Sequence, residues 1–386
     1  MPHVSERELE LPDAIIGKLI AIAAESKNVI SLGPGEPDFP LPKPLIQHTK
    51  KIADKVNHYS PPGGLSVLRE SIARKVKKDN GIDADPDNII VTAGSQEALL
   101  IALACTLDVS EQIIIPNPSF LAYLPLADLF STSPVFVELK EEENFEINPD
   151  EVKKLIDKKK TKAIIINTPA NPTGTMIKKK TLEGLADIAI DNDLYIFSDE
   201  AYEKIVYDEK HVSIGSLNGM ENNVVTFQTF SKSYAMAGYR VGYCIAPPSL
   251  SEYITKTHVY TSICAPTISQ HLALKALTLK KSYTTNMVKE YRRRRDFIVK
   301  RLNEIGLPTI MPQGAFYTFS NISSLTADSR KFAFDLLQKA KVAVVPGAEF
   351  GRYGEGYIRC SYATKYPFIE MAMERMDKFV KEYSRH

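Results

Sequence analysis

Cysteine and histidine are scarce in this chain of 386 residues, and neither type shows the spacing of a metal site or a disulfide scaffold. The histidines number seven and are scattered, with none at metal-ligand spacing, so we expect neither a structural nor a catalytic metal. The cysteines are also far apart and include no CxxC pair, which predicts reduced core residues and excludes a disulfide scaffold. These cysteines are Cys105, Cys244, Cys264 and Cys360.

Long apolar runs and an excess of charge are missing as well. The longest apolar run, residues 98–107, is far shorter than the ~20 residues that span a membrane. Residues 1–8 are charged and lack the apolar core of a signal peptide. The balance of 48 basic and 47 acidic residues disfavours a nucleic-acid or acidic-membrane partner. We therefore expect a cytoplasmic protein whose ligands are small molecules.

Four consecutive arginines, Arg292 to Arg295, are the strongest local concentration of charge. On a helix, four consecutive residues point nearly all the way round, so they form no single basic stripe. Glu290 precedes the run and Asp296 follows it. The pattern predicts a solvated helix with pairs along its own surface.

Signature loops of several nucleotide-binding and hydrolase folds are absent. The chain contains no Walker sequence and no GxGxxG, which argues against binding of a nucleoside triphosphate or a dinucleotide. GxSxG is also absent, which disfavours an α/β-hydrolase.

A repeated pattern of strands and helices begins at residue 88. Continuously apolar strands are predicted at 89–92, 112–115, 135–138, 163–167, 194–198, 224–228 and 241–245. Helices are predicted between most of them, at 96–107, 150–158 and 178–192. Strand–helix–strand units of about 30 residues favour an α/β fold, with a mostly parallel central sheet and helices on both faces.

The C-terminal part has a different pattern of elements. A long charged helix over 281–305 precedes strands at 314–319, 342–345 and 357–361 and helices at 329–340 and 366–383. We interpret this part as a smaller α+β domain that the N-terminal segment, with a helix over 13–25, completes. The expected division is an N-terminal segment 1–44, a large domain 45–282 and a small domain 283–386.

Polar residues follow three predicted strands of the sheet. Asn167-Thr168-Pro169-Ala170-Asn171 follows one strand, Asp199 and Tyr202 follow the next, and Lys232 follows a third. Ligands of parallel sheets bind beyond the carboxyl ends of the strands, so these groups are expected to meet. A lysine just past a buried strand is poorly solvated, and its lowered pKa makes a reactive amine available. The alternative for Asp199 is a structural role as a cap of the following turn.

A small-residue turn before a helix adds an anion site to this set. Ala93-Gly94-Ser95 leads directly into the helix at 96–107, whose N-terminus offers free N–H groups. With Thr229, Ser231 and Arg240 this turn would surround a phosphate. A phosphate, a heterocycle with a basic nitrogen and an aldehyde that reacts with a lysine together describe pyridoxal phosphate.

The order of these segments resembles that of the class I aminotransferases of the fold type I pyridoxal-phosphate superfamily. Within that class the chain is most similar to the compact aspartate/aromatic aminotransferases of prokaryotes. The resemblance extends from residues 30–33 to the final helix and includes six separated segments in a fixed order.

The resemblance implies a role for each site residue. Lys232 would form the internal aldimine and move the proton between substrate Cα and cofactor C4′, while Asp199 would keep the pyridine nitrogen protonated. Tyr202 and Asn171 would hydrogen-bond the cofactor's O3′, and Phe120 would stack on its ring. The implied phosphate ligands are Gly94, Ser95, Gln96, Thr229, Ser231 and Arg240, with Tyr59 from the neighbouring subunit of a homodimer.

For the substrate, the resemblance implies that Arg359 grips the α-carboxylate, with Gly35, Asn171 and Phe120 close by. The implied activity is ping-pong transfer of the amino group of an L-amino acid, aromatic or aspartate, to 2-oxoglutarate. A pyridoxal-phosphate-dependent β-lyase or cyclopropane-forming lyase of the same fold is the alternative. A transcription regulator with such a domain would need a DNA-binding module, and none fits before residue 30.

Three positions depart from the family pattern. Thr229 stands where Ser or Gly is usual, and Tyr239 replaces a tryptophan, a residue that this chain lacks entirely. Gln96 stands where aspartate-specific relatives often carry a lysine. An amide is a weaker partner than a cation for a distal carboxylate, and residues 14–17 would form an apolar lid. We therefore expect broad specificity for the amino donor. Lys18, close to this lid in sequence, is the alternative cation that could bind a distal carboxylate.

Overall fold

The computed structural model describes residues 3–5, 8, 9, 11, 17 and 28–383. The predicted helix over 13–25, the lid residues 14–16 and Lys18 lie outside the described residues, except for Gly17. The described strands are β1 (Ile30–Ser31), β2 (Ile89–Thr92), β3 (Gln112–Asn117), β4 (Ser133–Glu138), β5 (Thr161–Asn167), β6 (Tyr195–Asp199), β7 (Val224–Thr229), β8 (Gly242–Ile245), β9 (Tyr317–Asn321), β10 (Val342–Ala343), β11 (Val345–Pro346) and β12 (Tyr357–Ser361).

Helices connect most of these strands, as the alternating pattern predicts. They are α1 (Lys43–Ile52), α2 (Ser66–Asn80), α3 (Ser95–Thr106), α4 (Tyr123–Leu129), α5 (Pro149–Leu155), α6 (Lys179–Asn192), α7 (Phe230–Ser233), α8 (Pro248–Thr261), α9 (Thr267–Ala276), α10 (Ser282–Glu304), α11 (Ser329–Ala340) and α12 (Tyr366–Tyr383). None of these helices is long and apolar enough to cross a membrane.

Seven strands form the central sheet, in the order β2-β8-β7-β6-β5-β3-β4. Only β8 runs antiparallel to its neighbours, which confirms a mostly parallel sheet. In this register Asn167 lies opposite Asp199, and Thr229 lies opposite Gly242. The ends of β5, β6 and β7 therefore present their polar residues at one edge of the sheet.

Alternate residues of each central strand pack into different cores. In β3, Ile113 and Ile115 pack with α3, α4 and α8, whereas Ile114 packs on the opposite face with α5 and α6. In β5, Ile165 joins the first of these cores and Ile164 the second. Because both faces are covered, the strands are apolar throughout instead of alternating with polar residues.

The C-terminal part builds two small sheets beside the central one. β11, β12 and β9 form an antiparallel sheet, and β1 pairs in parallel with β10. Ile30 N donates a 2.9 Å hydrogen bond to Lys341 O, so a strand from the start of the chain joins this C-terminal part. Leu302, Phe316 and Phe332 are fully buried in the core between these sheets and helices α10 to α12.

Two of the predicted C-terminal strands were placed incorrectly. The single strand predicted over 342–345 is two strands, because β10 pairs with β1 whereas β11 pairs with β12. The strand predicted over 314–319 begins only at Tyr317. Gly314 N and Ala315 N donate hydrogen bonds to Gly174 O and Ile205 O, so this stretch follows neighbouring loops instead of a strand ladder.

The prediction of a solvated helix is wrong for two of the four arginines. Arg294 and Arg295 are each only 5% exposed on α10. Arg294 Nη1 lies 2.8 Å from Asp38 Oδ1, and Arg295 Nη1 lies 2.8 Å from Asp208 Oδ2. These carboxylates come from distant parts of the chain and compensate the buried charge, which the helix sequence alone did not reveal.

Candidate active site

A cavity of about 240 Å³ opens at the carboxyl ends of the central strands, and we call it the strand-end cavity. Thirteen of the fourteen predicted site residues line it: Gly35, Gly94, Ser95, Gln96, Phe120, Asn171, Asp199, Tyr202, Thr229, Ser231, Lys232, Arg240 and Arg359. The fourteenth, Tyr59, is 79% exposed and does not line the cavity of its own chain.

Lys232 lies on the short helix α7, directly after β7. Thr229 begins this turn, and its hydroxyl oxygen accepts a 3.2 Å hydrogen bond from Ser231 N. Lys232 Nζ donates a 2.6 Å hydrogen bond to Gly35 O. The pKa of Lys232 is lowered to about 8, chiefly by burial; Arg240 and Arg359 contribute to the lowering, whereas Glu36 and Asp199 oppose it. The amine is therefore deprotonated far more readily than an exposed lysine.

Asp199 ends β6 and presents its carboxylate to the cavity. Its Oδ2 accepts a 2.7 Å hydrogen bond from Tyr123 OH, and its Oδ1 accepts one of 3.1 Å from Ala201 N. Burial raises the pKa of Asp199, while these hydrogen bonds and the charge of Lys232 lower it. No ion pair to Asp199 forms within the described part of the chain. The carboxylate is thus oriented, and it is free to meet a cationic donor in the cavity.

An anion cup lies at the start of α3. Gly94 has φ +93°, and a Cβ at this position would lie 2.7 Å from Arg240 Nη2. Glycine therefore lets the backbone approach the guanidinium closely. Arg240 donates hydrogen bonds to Ala93 O at 3.3 Å and to Ala237 O at 3.0 Å, and it has no acidic partner among the described residues. The helix N-terminus and this unpaired cation together suit a phosphate.

Arg359 on β12 is a buried cation at the other end of the cavity, with 3% exposure. Its Nη1 donates to Asn171 Oδ1 at 2.9 Å and its Nη2 to Gly33 O at 2.5 Å. Its Nε is buried without a hydrogen-bond partner, and no carboxylate pairs with it in the part of the chain that the structure describes. An uncompensated buried guanidinium is costly, so this end of the cavity suits a carboxylate ligand.

The structure adds residues that the sequence did not single out, chiefly Tyr123 and Tyr317. Tyr123 contacts Asp199 as described above. Tyr317 OH lies 2.7 Å from Tyr202 OH, and the Tyr317 ring centroid lies 4.5 Å from Arg359 Cζ. A Cβ at Gly35 would lie 2.5 Å from Tyr317 OH, so this tyrosine also explains the glycine. Neither tyrosine directly follows a strand of the central sheet, so the pattern of polar residues after these strands does not point to them.

Comparisons with known proteins agree with this geometry. The family model described as aminotransferase class I and II matches residues 27–376. The aspartate aminotransferase of Pyrococcus abyssi is 47% identical over 95% of both chains. The aromatic-amino-acid aminotransferase 2 of Thermococcus litoralis is 45% identical over the same shares. A crystal structure of the aromatic aminotransferase from Pyrococcus horikoshii matches with a TM-score of 0.90 at 45% identity, covering 95% of this chain and 99% of that one.

The chain belongs to the class I and II aminotransferases. Enzymes of this family depend on pyridoxal phosphate, so the protein is a pyridoxal-phosphate-dependent aminotransferase. The strand-end cavity fits this cofactor: the anion cup suits its phosphate, the unpaired Asp199 carboxylate suits its ring nitrogen, and the Lys232 amine suits its aldehyde. The described residues contain no cluster of three or more His, Cys, Asp or Glu that could hold a metal ion.

Proposed function

We propose that this aminotransferase moves the amino group of an L-amino acid to 2-oxoglutarate in a ping-pong cycle, and that aromatic amino acids are donors at least as good as aspartate. The observation that carries the proposal is that Lys232, Asp199 and the unpaired Arg359 all line one cavity. Relatives named for aspartate and for aromatic amino acids have nearly equal identity to this chain, which supports a broad donor range.

Lys232 is the proposed attachment point and proton carrier. When bound, pyridoxal phosphate supplies an electron sink for the bond that breaks at substrate Cα. Lys232 Nζ would take the proton from substrate Cα and would return it at C4′ of the bound cofactor. Its lowered pKa suits this exchange, because an amine that titrates near the working pH both accepts and releases protons readily.

The remaining polar residues hold the cofactor. Asp199 would keep the ring nitrogen protonated, and Tyr123 and Ala201 fix the orientation of its carboxylate. Tyr202 and Asn171 would hydrogen-bond the cofactor's O3′, and Phe120 would stack on its ring. The proposed phosphate ligands are Gly94, Ser95, Gln96, Thr229, Ser231 and Arg240, all of which line the strand-end cavity.

Arg359 binds the substrate α-carboxylate and thereby orients the Cα–H bond towards Lys232. Asn171 already accepts a hydrogen bond from Arg359 Nη1, and Gly33 O accepts one from Nη2. These bonds hold the guanidinium plane before the substrate arrives, so little side-chain entropy is lost on binding. Gly35 contributes a backbone contact beside it.

An apolar cavity of about 470 Å³ adjoins the strand-end cavity and supports aromatic donors. The two cavities share Gln96, Phe120 and Leu121, and the apolar cavity extends to residues such as Leu126 and Phe136. The cationic residue among the described lining residues of the apolar cavity is Arg330. Its Nε lies 2.9 Å from Glu349 Oε1, and this carboxylate neutralises it. An aromatic side chain therefore gains apolar burial here, whereas a distal carboxylate meets no free cation among the described lining residues.

Half-reactions of the holoenzyme with phenylalanine, tyrosine and aspartate test this proposal. Each donor is mixed with the enzyme, and kcat/KM is measured from the change in cofactor absorbance. We expect the aromatic donors to be at least as efficient as aspartate. Gln96→Lys should shift the ratio towards aspartate roughly tenfold, about 1.4 kcal/mol of added charge pairing. A wild type that prefers aspartate a hundredfold to phenylalanine would contradict the proposal.

We also propose a cytoplasmic homodimer with two shared active sites. Tyr59 is exposed on its own chain, which suits a residue that reaches the cofactor phosphate of the neighbouring subunit. The proposed organisation of each chain is an N-terminal segment 1–44, a large domain 45–282 and a small domain 283–386. Separate small sheets in the C-terminal part support this division.

A further inference from the structure

A second large cavity, of about 680 Å³, lies between α2, the segment 277–281 and the start of α10. We call it the basic cavity. It shares no lining residue with the strand-end cavity. One face of α2 forms a wall, because residues three, four, seven and eight positions apart lie on the same side of a helix. The polar residues that line it are Ser71, Arg74, Lys75, Lys78, Asp79, Lys204, Tyr234, Thr278, Lys280, Lys281, Thr284 and Thr285.

The charged side chains of this lining are mostly positive. Six of the lining side chains are cationic, and Asp79 is the one acidic residue among them. The whole chain has a formal net charge of only +1, so the excess of cations in this lining is a local feature and not the result of a basic composition. A cleft lined by charge of one sign concentrates field lines and attracts counter-ions.

Three of these cations have carboxylate partners within the chain, among them Arg74, whose Nη1 lies 4.0 Å from Glu70 Oε2. Lys75 Nζ lies 2.6 Å from Glu203 Oε1, and Lys204 Nζ lies 2.5 Å from Asp79 Oδ2. By contrast, three exposed lysines at the rim form no ion pair within the described residues. These three are Lys78, Lys280 and Lys281. The cavity therefore keeps an excess of positive charge after its own ion pairs are counted.

Tyr234 adds an unused hydrogen-bond donor to this lining. Its hydroxyl makes no hydrogen bond within the described part of the chain, although its ring packs against Phe230 with the centroids 5.4 Å apart. Burial raises the pKa of Tyr234 to about 12, so the hydroxyl stays protonated and able to donate at neutral pH. A phenol donor in the same lining as unpaired ammonium groups suits an anionic oxygen.

We propose that the basic cavity binds a small polyphosphorylated anion. Volumes of 300–1,000 Å³ are typical of small-molecule sites, so the cavity has room for a ligand larger than a single phosphate. Three rim lysines and the Tyr234 hydroxyl supply donors for several anionic oxygens, and a ligand with two or more phosphate groups engages them together. The basic cavity is separate from the site of transamination. The test of this proposal is therefore independent of the proposed substrates.

Isothermal titration of the holoenzyme with inorganic pyrophosphate tests the proposal. The enzyme is first saturated with pyridoxal phosphate, so that the anion cup at the start of α3 is already filled. We expect one pyrophosphate per chain, with a Kd below about 1 mM at low salt and weaker binding as the salt concentration rises. Absence of saturable binding up to about 10 mM would overturn the proposal.

Matched variants locate the binding. Lys78→Gln, Lys280→Gln and Lys281→Gln in one protein should weaken pyrophosphate binding about tenfold or more. The control protein carries Lys158→Gln, Lys159→Gln and Lys160→Gln, which remove the same charge from another exposed segment; its Kd should stay within about twofold of wild type.

A single substitution, Tyr234→Phe, tests the cavity itself without changing net charge. The variant keeps the ring that packs on Phe230 and removes only the hydroxyl, so we expect binding about three- to tenfold weaker. An equal loss in the two triple variants would overturn the assignment, because binding would then follow net charge alone. Unchanged binding in both Tyr234→Phe and the rim-lysine variant would also overturn it.

Discussion

Tyr123 donates a 2.7 Å hydrogen bond to Asp199 Oδ2 across the edge of the central sheet. Tyr123 is fully buried at the start of α4, and its ring meets that of Phe120 edge-on with the centroids 5.5 Å apart. One buried tyrosine thus contacts both the carboxylate proposed for the ring nitrogen and the aromatic proposed to stack on the ring. The orientation of Asp199 therefore depends on helix packing as well as on its own strand.

Tyr123→Phe should weaken the proposed function of Asp199 while the core stays filled. The Tyr123 hydrogen bond opposes the rise that burial causes in the pKa of Asp199, so its loss should raise this pKa further. We expect kcat/KM to fall about tenfold and cofactor to be lost faster on dialysis. Tyr207→Phe is the matched control, since it removes a buried hydroxyl that bonds Ala315 O outside the cavity. Equal effects of the two substitutions would argue against the link to Asp199.

Lys232→Ala should reduce steady-state transamination by several orders of magnitude, because no other amine lines the strand-end cavity in the described chain. Borohydride reduction of the wild-type holoenzyme followed by mass spectrometry should place the cofactor on Lys232. Lys160→Ala, a change at an exposed position, should keep wild-type rates. Cofactor found on another lysine would show that the assignment is wrong.

The amine of Lys232 should titrate near pH 8 in the apoenzyme, because burial lowers its pKa from 10.5 to about 8. Only the neutral amine reacts with an acylating reagent, so labelling of Lys232 should rise with pH through a midpoint near 8. Glu36 raises the pKa of Lys232, so Glu36→Gln should move the midpoint to lower pH. Peptide mass spectrometry measures the midpoint, and an upward shift in the variant would contradict this electrostatic explanation.

Tyr59 provides a test of assembly. If it reaches the phosphate of the neighbouring subunit, Tyr59→Phe should weaken cofactor binding about three- to tenfold without changing the stability of the single chain, since the side chain is 79% exposed. Exposed Tyr260→Phe is the matched control and should bind cofactor normally. Sedimentation should give a dimer at assay concentrations. A fully active monomer would refute the shared site.

The sequence by itself determined the central sheet and the position of the site. Apolar strands separated by helices predict a parallel sheet, and in such a sheet the carboxyl ends of neighbouring strands meet at one edge. The sequence therefore places Asn171, Asp199 and Lys232 together, and all three line the strand-end cavity. This worked because strand period and chain direction are local properties.

Only the tertiary structure decided which distant groups complete those local patterns. The contact of Tyr123 with Asp199 and that of Tyr317 with Arg359 join segments that have no fixed spacing in sequence. The burial of Arg294 depends on Asp38, 256 residues away. The division of the strand predicted over 342–345 depends on two different pairing partners. Hydrogen bonds and ion pairs depend on distance in space, and the folded chain sets that distance.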